Sequence, residues 1–459
     1  MEKNQLLEVL EAQRKLFQSG KTKSLDYRLR LLTKLLQSIN LYTEEIHEAL
    51  KKDMNKPELE SFGGETFFVI SDIKNALTNL RKWMKGKCVS SPIIFWPMKS
   101  RLRPEPLGNV LIISPWNYPF QLLISPLVGA IAAGNTAILK PSEIAPHTAR
   151  VISKIIKEVF SPSEVFVVEG GIPETTMLLE ERFDHIFYTG NSHVAKIILE
   201  KAARYLTPVT LELGGKSPTI IYGDVDMEIT AKRILFGKLY NLGQNCISPD
   251  YILVEKKQKP AFVAACIKYI DIFFGENPVP NNSRIINKKH FDRIKSLMGN
   301  DKILYGGKFD EENLFISPTL LESTETSKAM SEEIFGPLLP IIEIESVDQA
   351  ISFVNTREKP LALYIFSNNL QIQERIIRDT SSGAVMVNDA IIHIYSKKLP
   401  FGGVGQSGMG AYHGFNSFKI FSHFKSVIKR PFYLDNPLRY PPFSPMKIKI
   451  TKTFSKFLG

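Results

Sequence analysis

Cysteine is scarce in this chain of 459 residues: only Cys88, Cys246 and Cys266 are present. Three thiols cannot make a disulfide scaffold, and an odd count fits a reducing compartment. There is no CxxC and no His/Cys cluster, so no metal site is expected. The clustered glycines of Gly405–Gly410 follow no strand-to-helix context and read as a tight loop, not as a dinucleotide-binding fingerprint. Long apolar runs are missing as well. The longest, Leu122 to Ala133, is interrupted by Ser125, Pro126 and Gly129, and a bilayer span needs about 20 residues. The N-terminus, Met1-Glu-Lys-Asn-Gln-Leu-Leu-Glu8, is polar and does not read as a signal peptide. Repeats and low-complexity segments are absent.

What is present is the composition of a globular protein, 44% hydrophobic and 23% charged. Its length suggests roughly three domains or subdomains. The net charge of +11 is uneven. From Lys425 to Gly459 there are eight basic residues against one acid, Asp435. The body of the chain is nearly balanced, which argues against a general nucleic-acid binder.

Residues 1 to about 82 read as helices. Leu29, Leu32, Leu36 and Ile39 recur at helical spacing, as do Ile46, Leu50 and Met54. From Ser90 to Pro106 the pattern becomes Pro-bounded and β-leaning, including Ile93–Phe95. Between Gly108 and Gly215, apolar runs at Val110–Ile113, Ala137–Leu139, Val165–Val168, His185–Tyr188 and Val209–Leu211 alternate with helical spacers. Buried parallel strands with crossover helices give this signature. A second α/β pattern follows, with Tyr251–Val254, Leu338–Glu343 and Ala384–Val387 as strands and Asp348–Thr356 as a helix.

Two segments carry chemistry. Cys246 ends Asn241-Leu-Gly-Gln-Asn-Cys246, and Glu212 lies in Leu211-Glu-Leu-Gly-Gly-Lys-Ser-Pro218. A thiol nucleophile needs a base, and an acyl-enzyme needs one to activate water. Taken alone, Cys246 reads as a buried small hydrophobe and Glu212 as a surface charge; the flanking glycines and the further motifs favour the chemical reading. Those motifs are Pro115-Trp-Asn-Tyr-Pro-Phe120, Lys140-Pro-Ser-Glu143, Phe187-Tyr-Thr-Gly-Asn191, Glu333-Ile-Phe-Gly-Pro337 and Pro400-Phe-Gly-Gly-Val-Gly405.

In this order and spacing the seven segments resemble the aldehyde dehydrogenase superfamily over nearly the whole chain. Tyr188-Thr-Gly-Asn191, Pro249-Asp-Tyr251 and Tyr412-His-Gly414 are most similar to its class 3, fatty-aldehyde branch. The resemblance implies an α/β fold: a Rossmann-type cofactor domain (1–82 and 104–209), a second α/β catalytic domain (210–392), a small β oligomerisation element (83–103 and 393–429) and a basic tail (430–459). It implies Cys246 as nucleophile, Glu212 as the base for hydrolytic water, and Asn117 as an oxyanion donor. Alone, Asn117 would read as a turn residue before Pro119.

For the cofactor the resemblance implies NAD, with NADP permitted. Lys140 and Glu143 match adenosine-ribose contacts, Glu143 disfavouring a 2′-phosphate. Thr189 and Gly190 precede a helix, Ser192 to Tyr205, whose N-terminus suits a pyrophosphate. Glu333 and Phe335 match residues that hold the nicotinamide ribose and ring, and Trp116 joins this cofactor-binding set. Ala195 and Asn245 depart from the family pattern, which usually has glycine and threonine there. Phe415 stands where close relatives usually have lysine. His413 reads as a packing or interface residue.

The expected activity is oxidation of a medium- or long-chain or otherwise hydrophobic aldehyde to a carboxylate. A CoA-acylating or reductive relative, an inactive membrane-associated homologue and a cysteine hydrolase are alternatives. Against them stand Glu212, the joint presence of Asn117, Glu212, Cys246 and Glu333, and the lack of a histidine beside Cys246. The resemblance also implies a homodimer in the cytoplasm. In the tail, Met446, Ile450, Phe454 and Phe457/Leu458 share a helical face, with Lys449, Lys452 and Lys456 on another. Peripheral contact of 445–459 with the inner face of a membrane competes with a solvated tail or one packed on a partner subunit.

Overall fold

The computed structural model describes residues 2–92, 96–275 and 278–455. Ile93–Phe95 lie outside these, as do Lys456, Phe457 and Leu458; the side chain of Phe454 is likewise not described. The N-terminal layer is helical: Lys3–Gln18, Leu25–Leu41, Thr43–Met54 and Phe67–Lys85. Ile46, Leu50 and Met54 are buried as their spacing requires. In Leu25–Leu41 the buried stripe is Leu31, Leu32, Leu35 and Ile39, while Leu29 and Leu36 are only half-buried. The expected stripe is thus rotated.

The first large sheet has the strand order Gly408–Met409, Val209–Leu213, His185–Gly190, Asn109–Ile113, Thr136–Lys140, Val165–Val167. All neighbours are parallel except the first pair, in which Gly408 sits opposite Glu212. Val110, Leu111 and Ile112 are fully buried, which is why these strands appear in the sequence as unbroken apolar runs. The helix Gln121–Ala133 runs under the sheet with every residue buried despite an internal proline, Pro126.

The second sheet has seven strands, ordered Lys302–Tyr305, Thr319–Glu322, Leu338–Ile344, Tyr251–Glu255, Pro218–Ile221, Ala362–Phe366, Ala384–Val387. Only the first joins antiparallel. A separate antiparallel sheet joins Lys87–Val89, Lys99–Pro106 and Ser422–Lys429. The segment 393–429, expected as one bridging element, therefore contributes to two sheets, because Gly408–Met409 closes the edge beside Glu212. The tail ends in the helix Pro445–Ser455. Met446 is exposed there and Ile450 half-buried, but Ile448 is exposed too, so the apolar residues do not form one clean face. Among the described residues no helix is long and apolar enough to cross a membrane.

Candidate active site

The cysteine loop starts where the helix Met227–Leu239 ends. Asn241, Leu242 and Gly243 then take left-handed backbone in succession, with φ of 55°, 51° and 77°. Such a turn is strained for Asn and Leu and is held by side chains. The Asn241 amide Nδ2 donates to the carbonyls of Asn117 (3.0 Å) and Gln244 (3.1 Å). Gln244 Nε2 donates to the carbonyls of Asn241 (3.2 Å) and Arg284 (3.0 Å), and its Oε1 accepts from Ile286 N (3.0 Å). Gly243 is required: a Cβ there would lie 2.3 Å from the Gly336 carbonyl oxygen. The loop is thereby fitted against Glu333–Pro337.

Cys246 opens partly into a cavity that Glu212 and Thr189 also line. Most other walls are apolar or aromatic, among them Phe68, Tyr118, Tyr240, Ile394, Phe401 and Tyr412. Asn245 Oδ1 accepts from Ile247 N (3.2 Å), so this departure from the family's threonine braces the loop just past the thiol. Burial first, then the carboxyls of Glu333 and Glu212, push the Cys246 thiol above its usual range; the amides of Cys246 and Ile247 act the other way. Glu212 is 3% exposed, and neither carboxyl oxygen has a hydrogen-bond partner among the described residues. Burial holds its pKa well above the carboxylate range. Asn117, also 3% exposed, donates Nδ2 to the Gln244 carbonyl at 3.1 Å, one residue before Asn245.

Of the cofactor candidates, Trp116, Lys140, Glu143, Thr189 and Gly190 fall at the carboxyl ends of the first sheet's strands, where doubly wound folds bind ligands, whereas Glu333 and Phe335 lie in the loop before Leu338–Ile344 of the second sheet. Lys140 ends its strand, 2% exposed, donating Nζ to the Pro141 carbonyl (2.7 Å) and to the half-exposed Glu143 (3.3 Å). Burial lowers its pKa, with Glu143 opposing. Thr189 is buried with no hydrogen-bond partner for its hydroxyl among the described residues, and Gly190 is covered by the Tyr188 hydroxyl so closely that a Cβ would clash. The next helix, Ser192–Ala203, is capped by Asn191, whose Oδ1 accepts from Val194 N (3.0 Å); Ala195 lies in its first turn and is buried. Trp116 meets Phe335 edge-on at 5.4 Å and His290 at 5.1 Å. Glu333 is pushed up to about 8, by burial first and then by Asp250. Glu332 is exposed and pairs with Arg293 (3.0 Å). His413 is 1% exposed between Phe401 and Tyr412, which fits a packing residue.

Several site residues carried no assignment in the sequence reading. Lys216, inside the Glu212 motif, pairs with Asp250 and donates to the Ala329 and Glu332 carbonyls, both at 2.8 Å. Asp250 accepts from Ile334 N (2.9 Å), so the pair fixes the loop bearing Glu333. Lys56, Glu60 and Glu65 reach under Asn117 and Asn241 from the helical layer. Lys216 stood within a motif, as did the cavity walls Tyr118, Phe401 and Tyr412; for Lys56, Glu60, Glu65, Phe68 and Tyr240 no local pattern pointed to the site. No group of residues able to hold a metal occurs among the described residues.

This arrangement has counterparts. The Aldehyde dehydrogenase family model matches residues 1–427. The chain is 46% identical over 446 residues to aldehyde dehydrogenase family 3 member A2 of Mus musculus, covering 96% of this chain and 92% of that protein. It is 44% identical over 445 residues to the 4,4'-diaponeurosporen-aldehyde dehydrogenase of Staphylococcus aureus, covering 96% and 97%. The solved substrate-bound state of Staphylococcus aureus AldH superposes with a TM-score of 0.96 at 43% identity, covering 98% of this chain and 99% of that one. A thiol and an unpartnered carboxyl sharing one cavity, two α/β sheets in this strand order and these matches lead to one conclusion: the chain belongs to the aldehyde dehydrogenase family, beside its family 3 members.

Proposed function

We propose that the protein oxidises a hydrophobic, medium- or long-chain aldehyde to its carboxylate through a thiohemiacetal and a thioester on Cys246. The observation that carries the reading is the shared cavity: Cys246 and Glu212 line it together, its walls are largely apolar, and Glu212 has no hydrogen-bond partner among the described residues. NAD, when bound, accepts the hydride that leaves the aldehyde carbon; NADP is permitted. The residues present fit such a cofactor. Thr189 offers an orphaned buried hydroxyl, Lys140 and Glu143 offer a donor and an acceptor for sugar hydroxyls, and Glu333 and Phe335 stand by the nucleophile loop.

Cys246 gives its proton to solvent, and its thiolate Sγ adds to the carbonyl carbon. Asn117 Nδ2 and the Cys246 N–H hold the resulting oxyanion, an arrangement worth several kcal/mol when preorganised. Glu212 then removes a proton from the water that attacks the thioester. Its raised pKa makes its anion a stronger base than an ordinary carboxylate. A CoA-acylating enzyme would have no use for that base, which favours hydrolysis.

Assembly and location belong to the same proposal. The strand Lys87–Val89 is an exposed edge of the small sheet, able to pair with a second copy in a homodimer. The protein is cytoplasmic, with the basic tail from Pro445 resting on anionic lipid. A panel from acetaldehyde to long-chain and polyene aldehydes, read by NADH absorbance in the wild type and in Cys246→Ser, tests the activity. Turnover rising with chain length and lost in the variant is expected; substantial NADH production by Cys246→Ser contradicts the nucleophile.

A further inference from the structure

A lysine outside every motif holds the turn that carries Asn117. Lys56 lies just past the helix Thr43–Met54, and its side chain is 0% exposed. A buried ammonium is tolerated only when its hydrogens find partners. Here Nζ donates to Glu65 Oε1 (2.6 Å) and to the backbone carbonyl of Asn117 (2.9 Å), and it lies 4.0 Å from the Tyr118 ring centroid. Glu65, also 0% exposed, comes from the π-turn Phe62–Thr66, a distortion often found at functional sites. Its other oxygen accepts from Gln121 N (2.8 Å), at the start of the helix behind Asn117.

The same stretch grips the opposite loop. Glu60 accepts from Asn241 N (2.9 Å), and Asn241 in turn donates to the Asn117 carbonyl. Residues 56–65 therefore hold both sides of the oxyanion pocket. A buried ion pair is often no more stabilising than apolar residues of similar volume. A well-packed aliphatic side chain at 56 would fill the space. It would not fix the Asn117 carbonyl. With the backbone fixed, one hydrogen of the Asn117 amide goes to the Gln244 carbonyl, and an amide nitrogen has a second to give.

We infer that Lys56, held by Glu65, is a positioning residue that anchors the Asn117 turn so that its side-chain amide is preorganised for the oxyanion. The inference rests on reading Asn117 as the oxyanion donor. Lys56 touches neither aldehyde nor cofactor; it acts through the turn that carries Asn117 and Tyr118.

The experiment is a double-mutant cycle read by the rate of the NADH burst. Lys56→Met should slow the burst by about 10²-fold, the effect of a displacement near 1 Å. The aldehyde KM and the NAD affinity should stay within about threefold, since only the transition state loses an interaction. In an Asn117→Ala background, Lys56→Met should add less than about threefold, because coupled residues are not additive. Lys56→Met leaves Glu65 buried without its partner, so Lys56→Met/Glu65→Gln is made alongside and, if the single variant does not fold, is judged by the same limits. A slowing of less than about threefold, or losses that multiply with Asn117→Ala, overturns the role of Lys56. An Asn117→Ala variant with an unchanged burst overturns the oxyanion reading itself, and the inference with it.

Discussion

Gly243→Ala should damage both the stability and the chemistry of this protein, and two sources can be separated. Gly243 has φ of 77°, where a side chain costs about 1–2 kcal/mol. Its Cβ would also stand 2.3 Å from the Gly336 oxygen and 2.5 Å from the Gly336 carbon. Ordinary carbon–oxygen contacts lie near 3.3 Å or beyond, so one backbone must retreat by about 1 Å. Overpacking of that kind costs about 1–3 kcal/mol. Together these give about 2–5 kcal/mol of destabilisation. The displaced parts are the loop three residues before Cys246 and the loop carrying Glu333 and Phe335. A shift near 1 Å there should lower kcat by about 10²-fold. Gly20→Ala is the control: its φ is 76°, but a Cβ would meet nothing within 4 Å. It should lose about 1–2 kcal/mol and keep full activity. Urea denaturation and NADH burst rates on both variants decide the matter. If Gly243→Ala behaves like Gly20→Ala, the close fit between the two loops is not what holds the nucleophile.

Three further outcomes are expected. Glu143→Ala should raise the NADP:NAD preference several-fold, since it removes a half-exposed charge worth about 1 kcal/mol against a 2′-phosphate; an unchanged ratio means Glu143 does not face the ribose. The hydrolytic half-reaction should speed up as pH rises through and above the ordinary carboxylate range, because burial raises the Glu212 pKa, which keeps the base protonated at low pH and frees it as pH rises; a flat single-turnover profile contradicts Glu212 as the base. Deleting Pro445–Gly459 should leave short-aldehyde turnover intact and weaken sedimentation with anionic vesicles in a salt-sensitive way, at about 1 kcal/mol per lysine; loss of short-aldehyde activity would make the tail structural.

The parts of the fold legible in the sequence are those where one residue's neighbours decide its state. Val110–Ile113 and Ala137–Leu139 are covered on both faces, so local hydrophobicity alone announces them. Pro218–Ile221 and Thr319–Glu322 escaped the reading because each has only two aliphatic residues beside a proline or polar ones; Ala362–Phe366 escaped it although all five residues are apolar and buried. In Leu25–Leu41, leucines at 25, 29, 31, 32, 35 and 36 surround the helix. Spacing allows two overlapping stripes, and packing against Phe67–Lys85 and Gln121–Ala133 selects Leu31 and Leu35. Cys246 and Glu212 were legible because their glycines and polar neighbours are local requirements of tight loops. Lys56 was not, because its bond to Asn117 spans 61 positions. The aromatic walls, from Phe68 to Tyr412, are scattered along the chain with no common spacing.

The central claim is that Cys246 carries the acyl group and Glu212 releases it. Glu212→Gln, mixed with aldehyde and NAD, separates the two events. A near-wild-type burst of one NADH per site is expected, then steady turnover lower by about 10²–10⁴-fold. Mass spectrometry should find the acyl group on Cys246. A variant that loses the burst together with turnover, or that shows no acyl adduct on Cys246, contradicts it.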